Sequence, residues 1–370
     1  MRSQESAVAE SVESRLVGPV RVVGVGLLGT SVGLGLRERG IDVILADASP
    51  TNLSIAIDYG AGRAAQPGDA PQLIVVCVPP DVTAEIVGRE LEAFPDAIVT
   101  DVASVKLAPL TALRDAGADV SRYIGSHPLA GRERGGPLAG RADLFIGRPW
   151  VVVGHDAISY QRANAIDDLI LDLGGILVEM TAEEHDQAVA LVSHVPQVVS
   201  TLMAQRLGGS PGSALNLAGG GLRDVTRIAA SDPELWVQIL GANAQPVRRI
   251  LQDFREDLDR FIEALDDPAA PGARRKLAEE LARGNAGVAQ LPGKHGQDRR
   301  FVSIIVMVND TPGQLARLLN EIGEVGVNLE DLRLEHSPGA QIGLAEIAVL
   351  PEAAARLTEE LAARGWRIAG

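Results

Sequence analysis

The chain has 370 residues, of which 46% are apolar and only 3% aromatic, and its formal net charge is −15. This length allows two or three domains, and the acidic charge argues against general binding of nucleic acid or of an anionic membrane surface. The single cysteine, Cys77, excludes an internal disulfide framework and fits a reducing cytosol. Residues 1–18 are expected to form a mobile tail without a signal-peptide core, and no apolar run approaches a membrane span. We therefore expect a cytoplasmic protein.

Residues 19–180 alternate short apolar runs with helical stretches. The runs are "VRVVGVG", "IDVILAD", "QLIVVCVPP", "DAIVTDV", "RYIGSHP" and "PWVVVG". Continuous apolar runs are typical of strands that are buried on both faces of a parallel sheet. Their alternation with helices predicts an α/β domain with a doubly wound parallel sheet.

The pattern changes at Thr181, where apolar residues begin to recur at helical spacing. Thr181 and Glu184 have the spacing of a capping box, and a second helix start has Ser231 as N-cap with Pro233 in its first turn. Residues 181–283 are therefore predicted to form an all-helical domain without strands. Long helices with apolar faces bury them against each other or against a second subunit, so we expect a homodimer.

The last part of the chain begins with a glycine-rich polar linker over residues 284–298. Residues 299–370 then follow the order βαββαβ, in which the helix "TPGQLARLLNEIGEVG" carries one apolar face. This order predicts a small ferredoxin-like domain.

One helix start in this small domain is a candidate ligand site. In "NDTPGQL", Asp310 or Thr311 is placed to cap a helix that starts at Pro312, and Gly313 leaves the backbone open. The N-terminus of such a helix can hold the carboxylate of an amino acid, with Asn328 nearby. The alternative is a module that only dimerises or that no longer binds a ligand.

A glycine motif follows the first predicted strand. "VVGVGLLGTSVG" carries Gly24, Gly26 and Gly29 in the pattern G-x-G-x-x-G where the strand meets the first helix. These glycines allow a tight turn and a close approach of the backbone to a pyrophosphate, whose charge the helix N-terminus stabilises. Asp47, at the end of the second strand, can accept hydrogen bonds from ribose hydroxyls and would repel a 2′-phosphate. The pattern therefore predicts a Rossmann-type domain that binds NAD rather than NADP.

The alternative to this cofactor site is a glycine turn in an α/β domain that binds no nucleotide. The rigid turn in "CVPP" lies where a nicotinamide ring would lie, and Cys77 beside it is expected to be a core residue. The residues expected to contact NAD are Gly24, Gly26, Leu27, Leu28, Gly29, Asp47, Val78 and Pro79.

Polar side chains follow the next two predicted strands. Ser104 lies in "DVASVK" and His127 in "GSHPLAG", and the carboxyl ends of parallel strands meet at one edge of a sheet. Oxidation of an alcohol by a nicotinamide requires that a hydride leave carbon while a proton leaves oxygen. A neutral imidazole can accept that proton, so we expect His127 to be the catalytic base. The alternative is a loop histidine that caps a helix or binds the backbone.

Five motifs, in this order, resemble those of the prephenate dehydrogenase family. They are "GVGLLGTSVG", "DVASVK", "GSHPLAGRERGG", "EEHD" with "SHVPQ", and "GGGLRDVTRIAASDPELW", and the resemblance covers about residues 19–295. The family includes arogenate dehydrogenases and serves tyrosine biosynthesis. The final seventy residues look like an ACT domain, a ligand-sensing module often appended to amino-acid biosynthetic enzymes, with tyrosine as the expected effector.

The resemblance implies an NAD-dependent oxidative decarboxylation of prephenate to 4-hydroxyphenylpyruvate that needs no metal. His127 matches the histidine that deprotonates the ring hydroxyl, and Ser104 matches the serine that orients it. Arg227 matches an arginine that binds a carboxylate of the substrate, and the planar fork of a guanidinium suits a carboxylate. Gly221 lies in the glycine-rich segment before Arg227, and Glu133 matches an acid in the loop that controls access.

His185 and His194 are nine residues apart, which places them on opposite faces of a regular helix and excludes one shared metal. His194, in "SHVPQ", is expected to line the substrate pocket or to pack in the helical domain, and His185 to be structural or interfacial. Many family members carry a histidine where this chain has Gln197. This departure leaves prephenate and arogenate both open as substrates.

Two other functions compete with this one. A β-hydroxyacid dehydrogenase shares the two-domain plan but uses a lysine from its helical domain, and residues 181–260 contain no lysine. A non-catalytic protein that senses NAD or an amino acid would also explain a glycine-rich loop and an ACT domain. No segment resembles a DNA-binding motif.

Overall fold

The computed structural model describes residues 14–131, 135–158, 160–291, 301–336 and 342–369. These residues form two compact units, the first comprising residues up to 199 together with 228–252, and the second comprising 200–227 together with 253 onwards. The division between the units falls inside the predicted helical domain over residues 181–283. Residues 1–13 of the predicted tail over 1–18 lie outside the described residues.

The first unit is built on a sheet of eight strands in the order β3-β2-β1-β4-β5-β6-β7-β8. The strands are β1 (Val20–Val23), β2 (Val43–Ala46), β3 (Arg63–Ala64), β4 (Leu73–Val76), β5 (Ile98–Asp101), β6 (Tyr123–Pro128), β7 (Pro149–Val153) and β8 (Ile176–Met180). All four residues of β4 are buried, as expected for a strand covered on both faces. The predicted doubly wound α/β domain is confirmed.

One strand direction differs from the prediction, and two strands, β3 and β8, were missed. The run "PWVVVG" forms β7, which pairs antiparallel with β6 and parallel with β8. An antiparallel pair needs no helical crossover, and the described residues between β6 and β7 contain only a 3₁₀ turn, Pro137–Ala139. β8 lies at the edge of the sheet, and all five of its residues are exposed or half-buried.

Five helices cover this sheet: α1 (Leu27–Glu38), α2 (Pro50–Asp58), α3 (Pro80–Ala93), α4 (Leu107–Asp115) and α5 (Tyr160–Asp172). The core between sheet and helices is mainly aliphatic, with Trp150, Phe145 and Tyr123 as its large buried aromatic residues. α1 follows β1 and α3 follows β4, and these two strands are neighbours at the centre of the sheet. The strand order reverses there, so a crevice opens at the carboxyl ends of β1 and β4.

Within residues 182–291 the structure contains helices and no strand. The helices are α6 (Ala182–Val189), α7 (Val195–Gln205), α8 (Gly212–Leu215), α9 (Gly220–Thr226), α10 (Pro233–Ala242), α11 (Ala244–Asp266) and α12 (Ala273–Val288). The capping box of Thr181 and Glu184 is present at the start of α6. The N-cap of α10 is Asp232 rather than Ser231, because the Asp232 carboxylate accepts from the amide of Glu234 while Ser231 bonds to Ile228.

A π turn over Ala190–His194 joins α6 to α7. The amide of Val195 donates to the carbonyl of Ala190, five residues earlier. Pro196 follows at once, and a proline has no amide to donate and crowds the carbonyl four residues before it. The wider turn relieves that crowding, and it changes the helical phase of the residues that follow.

The second unit ends in a four-stranded antiparallel sheet in the order β10-β11-β9-β12. Its elements are β9 (Val302–Asn309), α13 (Gln314–Val325), β10 (Asp331–His336), β11 (Ile342–Val349), α14 (Pro351–Ala363) and β12 (Arg367–Ala369). This is the predicted order βαββαβ, and both helices bury apolar residues against the sheet. The start of the predicted linker over 284–298 is helical, since α12 continues to Val288, and the rest from 292 lies outside the described residues.

One helical run in the described part of the chain, Ala182–Gln205, reaches the length and mean hydropathy (1.2) of a membrane span. Core helices of soluble proteins pass the same test, so this similarity is weak evidence. The run carries His185, Asp186 and His194, whose side chains are buried and hydrogen-bonded within the first unit. These contacts hold one side of the run inside the first unit, and 33% of its apolar window is buried.

Candidate active site

The glycine turn after β1 is shaped by close packing and leaves open space beside the first helix. Gly24 has a φ of +89°, and a Cβ at Gly24 would collide with the carbonyl of Cys77 at the end of β4. A Cβ at Gly29 would overlap the carbonyl oxygen of Gly24, so α1 can approach the strand only with glycine there. A Cβ at Gly26, in contrast, would meet nothing within 4 Å. The backbone next to Gly26 is therefore accessible to a ligand.

The N-terminus of α1 points its backbone amides into this open space. Gly26 is the N-cap and supplies no side-chain hydrogen bond, so the amides of Leu27, Leu28 and Gly29 have no capping group. Unsatisfied amides and the positive end of the helix dipole form a site for an anionic phosphate. The turn therefore fits a pyrophosphate.

Asp47 lies beside this turn, directly after β2. One carboxylate oxygen accepts from the amide of Val25 at 2.7 Å, and the other from the amide of Ser49 at 2.7 Å. A carboxylate oxygen has a further lone pair, so Asp47 can still accept from the hydroxyls of a ribose. Its fixed negative charge disfavours a 2′-phosphate, as the sequence predicted.

The turn after β4 forms the other wall of the crevice. Val78 is half-buried, and Pro79 is the N-cap of α3. Cys77 packs against the aliphatic core, and burial raises the pKa of its thiol far above the usual range. A thiol in that state is unreactive, which agrees with the interpretation of Cys77 as a core residue.

His127 is the fifth residue of β6, and Ser104 lies in the loop between β5 and α4. β5 and β6 are parallel neighbours in register Asp101↔Gly125, so both residues lie at the carboxyl edge of adjacent strands. Ser104 is half-buried, and His127 is only 9% exposed. The structure therefore places the two predicted catalytic residues on the same edge of the sheet as the glycine turn.

The nearest partner of His127 is one that sequence reasoning assigned to another role. Nδ1 of His127 lies 2.9 Å from Nε2 of His185, and the two rings meet edge to face. Nδ1 of His185 lies 2.8 Å from Oδ1 of Asp186. His185 and Asp186 thus lie directly behind His127, a position that the sequence did not indicate.

Asp186 also anchors the start of α4. Its Oδ1 accepts from the amide of Lys106 at 2.8 Å, and its Oδ2 accepts from the amide of Leu107 at 3.0 Å. A carboxylate at a helix N-terminus satisfies two unpaired amides and is stabilised by the helix dipole. The motif "EEHD" from the helical segment is thereby joined to the motif "DVASVK" from the sheet.

His194 is held by an amide whose orientation is fixed. Nδ2 of Asn243 lies 2.7 Å from the carbonyl oxygen of Asp186, which can only accept, and 3.0 Å from Nδ1 of His194. Nδ2 of an amide is a donor, so Nδ1 of His194 accepts and its Nε2 carries the proton. His194 is 1% exposed and lies edge-on to Trp236 at 6.0 Å.

The π turn changes the relation between the two histidines of this segment. A regular helix would place His185 and His194 on opposite faces, but both are buried in the first unit, and His194 contributes to the electrostatic environment of His127. The π turn lies between the two residues, so the regular spacing behind the prediction does not hold over this segment. No group of metal-binding side chains occurs among the described residues. Gln197, on the following turn, is 6% exposed, with its Oε1 3.5 Å from Oγ of Ser231.

A fully buried ion pair supports the strand that carries His127. Nζ of Lys106 contacts Oδ1 of Asp101 and lies 2.7 Å from the carbonyl oxygen of Ser126. Oδ2 of Asp101 accepts from the hydroxyl of Tyr123 at 2.7 Å. A Cβ at Gly125 would lie 3.2 Å from the Lys106 side chain, so glycine makes room for it. These bonds fix the backbone immediately before His127.

The electrostatics of the site keep His127 neutral. Burial lowers the pKa of His127 well below its usual 6.5, and the neighbouring His185, Lys106 and His194 lower it further. Burial also lowers the pKa of His194 to about 4, against an opposing effect of Asp186. A neutral imidazole at physiological pH can accept a proton, as a general base must.

Stability should therefore fall as the pH drops below about 6.5, where histidines in the unfolded chain begin to bind protons. Both His127 and His194 have lowered pKa values when folded, so the unfolded state binds more protons and protonation favours unfolding. The stabilisation is fully present above pH 6.5 and declines by up to about 1.4 kcal/mol per pH unit for each histidine. Urea unfolding between pH 7 and 5 measures the slope, which should be smaller in His194→Asn. A slope in His194→Asn equal to that of the wild type would contradict a contribution of His194 to the pH dependence.

Three groups of predicted residues belong to other parts of the chain than the elements described above. Arg227, exposed at the end of α9, and Gly221 within α9 belong to the second compact unit. Glu133 lies outside the described residues. Asp310, Gly313 and Asn328 are exposed in the small domain, where α13 begins at Gln314 with Gly313 as a left-handed N-cap. The predicted start at Pro312, capped by Asp310 or Thr311, was thus two residues too early.

Comparisons with known proteins decide which family carries this arrangement. A model of the prephenate dehydrogenase nucleotide-binding domain matches residues 32–179, and a model of the prephenate dehydrogenase dimerization domain matches residues 181–282. The Streptomyces niveus protein named probable prephenate dehydrogenase NovF is 36% identical over 93% of this chain and 98% of its own length. The chain belongs to the prephenate dehydrogenase family. It is an oxidoreductase with a nucleotide-binding domain, and its cofactor is NAD.

Other members of the prephenate dehydrogenase family agree with this placement. A cyclohexadienyl dehydrogenase of Zymomonas mobilis is 32% identical over 66% of this chain and 88% of its own. The crystal structure of prephenate dehydrogenase from Aquifex aeolicus, in complex with hydroxyphenyl propionate and NAD+, superimposes with a TM-score of 0.65 and 26% identity. It covers 75% of this chain and all (100%) of that one. An arogenate dehydrogenase of Synechocystis superimposes with a TM-score of 0.60, at 28% identity, over 72% of this chain and 99% of its own.

Proposed function

We propose that this enzyme oxidises and decarboxylates prephenate to 4-hydroxyphenylpyruvate, with NAD+ as the hydride acceptor. The observation that carries the proposal is the position of His127. It lies at the same sheet edge as the glycine turn, is buried and kept neutral, and is bound through Nδ1 to His185. Among the described residues, no hydrogen bond reaches its Nε2, which leaves that atom to the substrate.

The chain's own residues then account for the movement of the proton. Nε2 of His127 accepts the proton of the ring hydroxyl, while the carbon that bears this hydroxyl gives up a hydride to NAD+. Loss of CO2 from the ring makes it aromatic, and His127 returns the proton to the phenolate oxygen. Ser104, at the end of the neighbouring strand, is proposed to hold the hydroxyl in line with His127. The bound NAD+ supplies the hydride acceptor, and the protein supplies the base and the alignment.

The substrate side chain is the finer question. Gln197 is buried beside Ser231 and is neutral at every pH. His194, by the contacts above, presents an Nε2–H donor, and a donor suits the keto oxygen and carboxylate of prephenate better than the ammonium group of arogenate. We propose both residues as contacts to this side chain and prephenate as the preferred substrate. The alternative is arogenate, which would give tyrosine directly.

An assay of purified enzyme with NAD+ tests the reaction. The absorbance of NADH should rise with prephenate, and kcat/KM should be higher for prephenate than for arogenate. NADP+ should be a poor cofactor, because Asp47 lies where its 2′-phosphate would bind. No rise with either substrate would contradict the proposed function and favour a protein that only senses NAD or an amino acid.

Arg227→Ala should raise KM for prephenate about tenfold or more, because an arginine bound to a substrate carboxylate contributes a charge-assisted pair. Arg227 is proposed as this anchor, together with Gly221 and Glu133, from the sequence motif alone. Steady-state kinetics measure the effect, and Arg223→Ala, an exposed arginine one helical turn earlier in α9, serves as the control. Equal KM values for wild type and Arg227→Ala would remove Arg227 from the site.

The enzyme is also proposed to be a homodimer formed through its helical segment. Four side chains on one face of α11, each 42–57% exposed, form an apolar stripe: Phe254, Leu258, Ile262 and Leu265. Residues at this spacing share one side of a helix, and a stripe of this kind is normally covered. The match to a dimerization-domain model over residues 181–282 supports a second copy of the chain as its partner.

Leu258→Asp should therefore shift the enzyme from dimer to monomer. A buried leucine contributes about 1.5–3 kcal/mol, and the charge must also be desolvated in each copy. Size-exclusion chromatography with light scattering measures the mass, for which one chain contributes 38.8 kDa. Glu256→Ala, on the opposite face of α11, is the matched control. A Leu258→Asp variant that remains dimeric at micromolar concentration would place the interface elsewhere.

The domain plan and regulation complete the proposal. We propose an NAD-binding domain over 19–180, a helical domain over 181–283 and an ACT domain over 299–370, in a cytoplasmic enzyme. The order βαββαβ in the small domain supports the last of these. Tyrosine is the proposed effector near Asp310, Gly313 and Asn328, and the same assay with added tyrosine tests its effect. The alternative is a module that only dimerises.

A further inference from the structure

The side chains behind His127 form a chain of hydrogen bonds that ends at a helix N-terminus. The chain consists of Asp186, His185 and His127, joined by distances of 2.8 Å and 2.9 Å. His185 is fully buried (0% exposed) and Asp186 is 3% exposed. We propose that Asp186 and His185 are positioning residues that hold His127 in the tautomer whose Nε2 is free to accept the substrate proton. The kinetic part of this inference rests on the proposed function.

The direction of the first hydrogen bond is set by Asp186. Both of its carboxylate oxygens already act as acceptors, since each accepts a backbone amide at the start of α4. An ionised carboxylate can only accept, so Nδ1 of His185 must carry the proton in the bond to Asp186. Asp186 therefore fixes the tautomer of His185.

The second hydrogen bond follows from the first. A neutral His185 with its proton on Nδ1 has a lone pair on Nε2, which must accept. Nδ1 of His127 is the atom facing it, so Nδ1 of His127 donates and Nε2 of His127 has the free lone pair. If Nε2 of His185 donated to Nδ1 of His127 instead, both nitrogens of His185 would carry a proton. His185 would then be a cation in a buried cluster that already contains Lys106.

The same chain supports the charged state that forms during the reaction. When Nε2 of His127 takes the hydroxyl proton, the ring becomes a buried cation and its Nδ1–H bond to His185 strengthens. His185 passes the polarisation to the negative charge of Asp186, 2.8 Å from its Nδ1. The charged and titratable groups around His127 are His185 and Asp186 on α6, His194 on the π turn, and Lys106 at the start of α4. Among these groups, Asp186 is the one that counteracts the new positive charge, and it does so through its hydrogen bond to His185.

Nitrogen NMR of the full-length enzyme, labelled at its six histidines, tests the tautomer without relying on activity. In the wild type near pH 7, His127 should show a protonated Nδ1 and an unprotonated Nε2, and His127→Asn assigns its signals by removing them. Asp186→Asn should convert His127 wholly or partly to the Nε2–H form, because an amide can donate to Nδ1 of His185. A wild-type His127 protonated at Nε2 would overturn the proposal even if the enzyme is active. Absence of turnover with a correct tautomer would instead count against the proposed function.

Kinetics test whether the two residues act through His127. Asp186→Asn should lower kcat about tenfold or more with little change in KM for NAD+, and should have no further effect in a His127→Asn background. A further loss in that double variant would indicate a purely structural role. Because Asp186 also caps α4, His185→Phe provides a second variant that keeps the cap and should show the same loss of kcat. Asp143→Asn, which removes an exposed carboxylate paired with Arg141, is the control and should behave as wild type.

Discussion

Replacing His127 with asparagine should lower kcat by about 10²- to 10⁴-fold, the usual contribution of a general base, and leave NAD+ binding intact. The base is lost, because an amide cannot take a proton from the ring hydroxyl. The glycine turn and Asp47, which are proposed to hold the cofactor, make no hydrogen bond to the His127 side chain. Stopped-flow or steady-state kinetics measure kcat, and calorimetry measures the dissociation constant for NAD+.

The pH profile gives this prediction a second measurement. Because the pKa of His127 is held well below 6.5 by burial and by its basic neighbours, kcat/KM should stay level from pH 7 to below pH 6.5. It should then fall as His127 becomes protonated, and the residual activity of His127→Asn should lack this acid limb. His155→Asn is the matched control. Among the described residues, His155 is the other histidine of the sheet domain, and it lies outside the chain of Asp186, His185 and His127. Near-normal turnover in His127→Asn would remove His127 from catalysis.

Replacing Lys106 with methionine should destabilise the fold by about 3–5 kcal/mol, the usual result of removing one partner from a buried ion pair. The Lys106 side chain has no exposed surface and contacts Asp101, whose side chain is also fully buried. Methionine fills a similar volume but leaves the Asp101 carboxylate with only the Tyr123 hydroxyl and the Ala103 amide. The carbonyl of Ser126 also loses its side-chain donor. Urea unfolding of the intact enzyme measures the change.

The double variant Asp101→Asn with Lys106→Met separates charge from packing. If the cost of Lys106→Met comes from the unpaired carboxylate, neutralising Asp101 should recover part of the lost free energy. Fully additive losses would instead indicate that the two side chains act independently. Lys106→Met should also raise the pKa of His127, because one of the positive charges that lower it is removed. The acid limb of kcat/KM would then move to higher pH.

Local patterns were sufficient for most of the first unit. The runs of β-branched residues predicted six of its eight strands, and the pattern G-x-G-x-x-G placed Gly24, Gly26 and Gly29 in the turn after β1. These features depend on residues close together in sequence, whose spacing determines backbone geometry. The direction of β7 could not be read in this way, because a strand's own residues do not encode which way its neighbour runs.

The contact between His185 and His127 was not foreseen from the sequence, and the reason is tertiary. His185 and His127 are 58 residues apart in sequence, and Asp186 and Lys106 are 80 apart. Packing of α6 against the start of α4 brings these pairs into contact, and no local pattern records it. The signal that could have indicated the role was the adjacent pair of His185 and Asp186, since a carboxylate next to a histidine often fixes its tautomer.

The sequence by itself determined the family, the cofactor motif and the identity of His127 as the candidate base. It did so because the motifs combine particular residue types at short, fixed spacings. The tertiary structure decided which groups surround His127: His185 and Asp186 behind it, His194 brought in by a π turn before Pro196, and Lys106 beneath the strand. The physical reason is that burial and charge act through space, so the pKa and the tautomer of a histidine depend on neighbours distant in the chain.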